Sequence, residues 1–499
     1  MQIKNNFKLS VLATALTVGL TACGGDINLS SEVDSSVGDN IINNPAPTTP
    51  DSGTDVVLAG KANTALSTEV SAELGFDVQV QVLDSNIEEN TTLVASVSGK
   101  PVMYAISGAL EVGGITAQAR KARDEANDVT LTIEPGAVIF GQSGNDYLVI
   151  HRDAKIMAEG SQTKPIIMTS LQDVKGEATT AGQWGGVVIL GNAPSNKCPT
   201  DGSDCALQVE GVEEGAVFGG TDDADNSGTL RYVRVMHGGF EIAPDNELNG
   251  ITFGGVGSGT TVEYLQVHGN SDDGIEMFGG TANLRNLLIT RPGDDAFDWD
   301  LGWNGNVQSL VVQMGRDVGD NAFEGDNNGP EPDAEPRSNP TFINVTLVAD
   351  PNAPRAQRAM TLREGTAGTF RNMIIAGFKD EAISIRDRSQ ALASEGALNI
   401  SHALFIMDRS NRRIDREAPE GFDIAAWLNQ PERQNQTVVD PAYLSTALDP
   451  IAPYFAPDVG PALAAVASIP QGEFWNRGAR HRGGVRPGSA DSWLSDWTA

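Results

Sequence analysis

The sequence predicts an all-β chain: a right-handed parallel β-helix, a solenoid of stacked coils with caps at its N- and C-terminal ends. Three observations carry this. The 499 residues include 55 glycines, which suits frequent tight turns rather than long helices. From about Val102 to about residue 410, short β-rich runs such as Val129-Thr130-Leu131-Thr132-Ile133, Tyr147-Leu148-Val149-Ile150 and Val187-Val188-Ile189-Leu190 alternate with Gly, Asn and Asp. An internal repeat runs through the middle: Asn249-Gly250-Ile251-Thr252, Asp273-Gly274-Ile275-Glu276, Asp295-Ala296-Phe297-Asp298 and Asn321-Ala322-Phe323-Glu324, with starts 24, 22 and 26 residues apart. A Gly-rich period in the low twenties without helical patterning is what one coil of a parallel β-helix needs. Each coil buries a stripe of Ile, Phe, Val or Leu and pairs its backbone with the coils above and below. Strands this short argue against βαβ units, and a sandwich would occupy only about 100 residues.

The elements follow in order. Lys4 and Lys8 precede a mostly apolar run from Leu9 to Ala22, the layout of a secretory signal over residues 1–22. It ends in Leu20-Thr21-Ala22-Cys23-Gly24, which resembles the bacterial lipobox, in which the cysteine is diacylated on sulfur and then acylated on nitrogen. Several acyl chains on Cys23 would anchor the chain stably to a membrane. Gly24 carries no inner-membrane retention signal, so the expected location is the outer membrane, at the cell surface or the periplasmic face. Residues 23–56 are acidic, free of aromatic residues and punctuated by Pro45, Pro47 and Pro50; they read as a flexible tether. Residues 57–101 read as the N-terminal cap, 102–410 as the β-helix and 411–499 as a loop-rich C-terminal cap. In that last region Trp475, Trp493 and Trp497 are expected to fold back over the final coil.

Charge excludes some partners. Lys plus Arg is 34 and Asp plus Glu is 66, a net charge of −32. Nucleic acid and an anionic membrane surface both need basic patches, so neither is expected as the main partner. With Cys23 assigned to lipid, Cys198 and Cys205 remain, flanking a Pro/Asp/Gly loop; in an oxidising envelope they are expected to form a local disulfide.

Several motifs carry a resemblance. Leu131-Thr132-Ile133-Glu134-Pro135-Gly136-Ala137-Val138-Ile139, Gln183-Trp184-Gly185-Gly186-Val187-Val188-Ile189-Leu190-Gly191, Gly293-Asp294-Asp295-Ala296-Phe297-Asp298-Trp299-Asp300 and the ending Arg486 to Thr498 resemble a widespread group of bacterial envelope β-helix proteins. The group is pectate-lyase-like in fold and many members are lipoproteins. The resemblance implies fold and compartment and brings no agreed reaction. More distantly, the chain is similar in fold to pectate lyases and to polygalacturonases, and Asp272-Asp273 and Asp294-Asp295 superficially resemble the paired aspartate of the latter. The latter's Gly-His-Gly segment has only a partial echo in His237-Gly238-Gly239.

The repeat also organises the acids. With Ile275 and Phe297 inside, alternation places Asn249, Asp273, Asp295 and Asn321 inward, as a hydrogen-bonded ladder of buried polar groups. Asp272, Asp294 and Asp320 then form one outward column, and Glu276, Asp298 and Glu324 a second, with Asp300 and Asp326 extending the acidic surface. Coils are ~4.8 Å apart, so stacked carboxylates repel unless a cation lies between them. Oxygen-only ligands suit Ca²⁺ better than zinc; the alternative is a hydrated acidic face. A looser match of Met360-Thr361-Leu362-Arg363 and Ile383-Ser384-Ile385-Arg386 to the repeat puts Arg363 and Arg386 in the column of Glu276. There they would be either a base beside an acidic groove or surface ion-pair partners. Trp184, Trp299 and Trp303 would either stack on sugar rings or pack at turns, and the five histidines do not cluster in sequence. Two classes of function follow: a surface module that binds a polysaccharide or a partner such as an outer-membrane uptake receptor, or a polysaccharide-degrading lyase or glycoside hydrolase. The missing catalytic motif favours binding.

Overall fold

The computed structural model of the chain describes Leu74 and residues 78–499, apart from 115–127, 200–203, 213–214, 244–245, 380, 410–420, 450–452, 454, 457–458 and 489–491. The expected signal, the tether and Cys23 lie outside the described residues. The rest is a right-handed parallel β-helix.

One wall of the solenoid is a nine-stranded parallel sheet. Its strands stack in chain order from Ala109–Val112 through Tyr147–Ile150, Gly186–Leu190, Ile251–Gly254, Ile275–Phe278, Phe297–Asp300, Asn321–Gly325 and Arg358–Leu362 to Ile383–Ile385. The other walls belong to a 17-stranded sheet whose long members, such as Gly228–Met236, Thr261–His268 and Thr341–Val348, are bent in the middle. At the bend Tyr232, Tyr264, Asn286, Ser309, Asn344 and Asn372 take positive φ between 51° and 65°. Such a corner suits Asn, which tolerates the left-handed region, and nothing in the sequence marked Tyr232, Tyr264 or Ser309 for it. Before the bend, Gly228–Arg231 pairs with the strand at Lys155–Glu159; after it, Val233–Val235 pairs with the strand at Ile166–Ser170. The bend therefore gives each coil three sides.

Inside, apolar side chains stack coil on coil. Phe297, Trp299, Trp303, Phe323, Phe342 and Phe370 form one aromatic column with ring centroids 4.7–6.4 Å apart. Trp184, Trp299 and Trp303 are 0 % exposed, so they are core residues and have no face to offer a sugar.

The ends and flanks differ from the expectation. Gln79–Leu83, within the expected N-terminal cap, already pairs in parallel with Lys100–Ile106 and so belongs to the stack. At the other end the helix Ile424–Leu428 closes the core: Ile424, Trp427 and Leu428 pack into it, and the Trp427 indole N–H donates to the Ala393 carbonyl at 3.1 Å. The tryptophans near the C-terminus do not cover the last coil. Trp497 packs on Tyr232 and Tyr264, and Trp475 on the cluster of Ile343 and Ala479, all on the outer face of the bent sheet. A bent sheet leaves an apolar outer stripe, including Leu288, Val311 and Ile374, and the tail buries it.

The insertion between Gly186–Leu190 and Ile251–Gly254 folds over the nine-stranded sheet. Its hairpin, Leu207–Gln208 with Val217–Phe218, covers Tyr147, Val149, Val188 and Leu190. Cys198 and Cys205 form the expected disulfide within it, with Cα atoms 5.1 Å apart.

Candidate functional site

Strand register builds the site. On the outer face of the nine-stranded sheet, Val149, Val188, Thr252, Glu276, Asp298, Glu324, Thr361 and Ser384 form a single column. The column begins apolar under the insertion, turns acidic over three coils and ends in hydroxyls. Glu276, Asp298 and Glu324 thus stack as the repeat predicts.

A second ladder runs along the turn before each strand. The Asp273 amide donates to Asn249 Oδ1 at 3.1 Å, the Asp295 amide to Asp273 Oδ1 at 2.9 Å, and the Asn321 amide to Asp295 Oδ1 at 2.6 Å. Thr361 Oγ1 closes it by donating to Asn321 Oδ1 at 2.7 Å. This is the buried polar ladder expected of these four residues. Its separation from the outward acids is not kept, however. Asn249 Nδ2 donates to Glu276 Oε2 at 2.5 Å, and Asp273 joins both outward columns. Asp272, Asp273 and Asp294 hold carboxylate oxygens within 4.8 Å of one another, and so do Asp273, Glu276 and Asp298. The reason is local: Ile275 is the first residue of its strand, so Asp272 and Asp273 lie in a turn where side chains no longer alternate.

Of the six predicted cation ligands, the structure brings Asp272 together with Asp294 and Glu276 together with Asp298. Asp320 and Glu324 enter neither group. Asp320 meets Arg358 at 3.4 Å, and Glu324 meets Arg363 at 2.7 Å. The looser alignment placed Arg363 and Arg386 one pair of residues away from their true register. Phe323 pairs with Met360 and Glu324 with Thr361, so Arg363 follows Leu362 and lies beside Asp326, 3.0 Å away. The 37-residue step from Phe323 to Met360 hides this register, because a loop inserted in one coil breaks the period.

Burial sets the electrostatics. Asp273, Glu276, Asp295 and Asp298 are pushed well above the ordinary carboxylate range, by desolvation first and by neighbouring carboxylates second: Asp295 acts on Asp273, Glu210 on Glu276, Glu324 on Asp295 and Glu276 on Asp298. Asp272 rises to about 7 through burial and then through Asp294, Glu247 and Glu210. Asp300 rises to about 6 and Asp326 to about 7, burial again leading. Glu210 and Glu247 come from the insertion and its neighbouring hairpin, and no repeat in the sequence could have marked them. Asp298 Oδ1 is buried and has no hydrogen-bond partner among the described residues. A buried carboxylate oxygen without a donor, among oxygen ligands only, fits a hard divalent cation: Asp272, Asp273, Asp294, Glu276 and Asp298 would hold it. Arg363 is a poor proton acceptor. Burial lowers its affinity for a proton, but Asp326 and Glu324 more than offset this and leave it raised.

The histidines regroup as well. His237 and His268, on adjacent coils, meet edge to face with ring centroids 5.6 Å apart. Burial lowers both, His268 to about 4, so both rings are neutral near pH 7.

A family model described as a pectate-lyase-like β-helix domain matches residues 123–433. The chain belongs to this family. No curated protein and no solved structure matches it. The family accounts for the coils and their parallel pairing.

Proposed function

We propose that this protein is a lipid-anchored envelope β-helix that binds a divalent cation, calcium first, on its acidic face and engages a glycan through it. One observation carries the reading: two carboxylate groups share Asp273, each with oxygens within 4.8 Å, and Oδ1 of Asp298, a member of one group, is buried without a donor among the described residues. Three carboxylates at that spacing repel in the absence of a counter-charge, and a cation with six to eight oxygen ligands removes the repulsion. Ligands from a bound cation's outer side, such as sugar hydroxyls or a uronate carboxylate, would complete its shell. The lipid anchor rests on Leu20-Thr21-Ala22-Cys23-Gly24.

A hydrolase is the second reading, favoured by Asp272, which holds its proton to about pH 7 beside Asp294. A lyase is disfavoured, because Arg363 is engaged by Glu324 and Asp326. The deciding experiment is calorimetric titration with Ca²⁺, then a glycan array with and without Ca²⁺ and product analysis of every hit. Calcium-dependent binding without cleavage supports the module, and cleavage products support the hydrolase. No heat with calcium and no calcium-dependent hit would refute the cation reading. For the anchor, Cys23→Ser should move the protein from the membrane to the soluble fraction.

A further inference from the structure

The C-terminal segment from Ala467 onward runs across the outer face of the bent sheet. It touches coil after coil. Ala467 exchanges hydrogen bonds with the Asn372 side chain in both directions, at 2.7 and 3.2 Å. The Ala479 carbonyl accepts from Asn344 Nδ2 at 3.1 Å, and Asn476 exchanges bonds with Gln308 at 2.7 and 3.1 Å. Further along, Trp497 lies edge-on against Tyr232 and Tyr264, and the Ala499 amide donates to Gln266 Oε1 at 2.7 Å. The segment therefore ties the strand Gly368–Ala376 to the strand Gly228–Met236, with Thr261–His268, Asn283–Thr290, Asn306–Gln313 and Thr341–Val348 between them. Four of the corner residues with positive φ, Asn372, Asn344, Tyr232 and Tyr264, contact it directly.

This arrangement changes how a solenoid behaves. In a stack of repeats each coil touches only its neighbours, so stability is a sum of local terms and a coil can open without distant ones. A strap bonded to several coils at once adds a contact that is lost whenever any of them opens. The same coils carry the stacked acids on their nine-stranded wall, at Ile275–Phe278, Phe297–Asp300 and Asn321–Gly325, where repulsion favours separation. We propose that the C-terminal segment is a clamp: it makes the coils of residues 228–376 open as one unit and holds the acid-bearing strands in register. The inference is independent of whether a cation binds.

Hydrogen exchange read by mass spectrometry on the full chain tests it. Gly484→Val drives a wedge from the strap side, because a Cβ at Gly484 would collide with the Leu310 carbonyl. Trp497→Ala removes the contact with Tyr232 and Tyr264 and, inside the segment, the ring stacking and indole hydrogen bond to Trp493. Both variants should accelerate exchange about tenfold throughout residues 228–376, the size of a loss of one or two kcal/mol in stability. The strands Lys100–Ile106, Val138–Gly141 and Tyr147–Ile150, which the segment does not bond among the described residues, should be unchanged. Acceleration confined to the segment itself, or to the one coil touching the altered residue, would overturn the clamp. If Gly484→Val does not fold, Trp497→Ala decides alone: spread as far as Thr341–Val348 upholds the clamp, and confinement to the coils of Tyr232 and Tyr264 refutes it.

Discussion

Two columns on the same strands of the nine-stranded sheet differ by one residue in register and by everything in energetics. The inner one reads Leu148, Val187, Ile251, Ile275, Phe297, Phe323, Met360 and Ile383, every member buried. The outer one contains Glu276, Asp298 and Glu324. Backbone and coil spacing are identical. Each inner step removes more apolar surface from water, whereas each outer step sets one carboxylate against another. Stacking multiplies whatever a single coil carries, and it does so with either sign. The acidic run is short, and its far end is neutralised by Arg363 on Glu324 and Asp326.

The contrast breaks most visibly from the inside. Phe297→Ala should destabilise by about 3–5 kcal/mol, because the side chain is fully buried against Trp303, Phe323 and Phe342. Urea unfolding followed by tryptophan fluorescence measures it; a loss under 1 kcal/mol would show that the aromatic column is not continuous.

The outer column is next, through pH. Asp272 and Asp326 have folded pKa values of about 7 against an unfolded value near 3.9, so the folded state holds more protons between them. Stability in chelator should therefore be fully present below pH 4 and fall as pH rises through 7. The loss should be roughly 2–3 kcal/mol, counting about one pH unit from each of two partly exposed groups. Thermal melts from pH 5 to 8 show it, and millimolar-range calcium should flatten the fall. A melting temperature that rises over that range contradicts the buried repulsion.

Asp298→Asn sharpens the same point at one residue. In chelator at pH 8 it should stabilise by roughly 1–3 kcal/mol, since it deletes a charge with a buried, donorless oxygen. With calcium the order should reverse, wild type gaining and the variant not responding. Equal calcium responses would place the ion elsewhere.

The smallest effect belongs to the end of the column. Arg363→Gln should cost about 1 kcal/mol, because its pairs with Glu324 and Asp326 are partly exposed and such pairs contribute modestly. It should also leave those two acids free and raise the stoichiometry or affinity for calcium by titration. Unchanged calcium binding would mean that the cation groups end at Asp298.

Much of this was legible in the chain. A 22- to 26-residue spacing and an apolar stripe at Ile275, Phe297 and Phe323 determine the solenoid, because only stacked coils bury such a stripe and pair such short strands. The same spacing correctly stacks Glu276 on Asp298 on Glu324, and Cys198 with Cys205 needs only a seven-residue loop. Three things were decided by tertiary structure alone. Asp273 joins two acid groups because it occupies a turn, where the strand alternation that sorts inside from outside has not yet begun. Arg363 closes the column at Asp326 because an inserted loop shifts the apparent period, and pairing follows hydrogen-bond register rather than residue count. The tail lies along the bent sheet and not over the last coil. Its tryptophans pack on the outer face of that sheet, and the shape of that face depends on corners at Tyr232, Tyr264 and Asn344 that no local pattern announces.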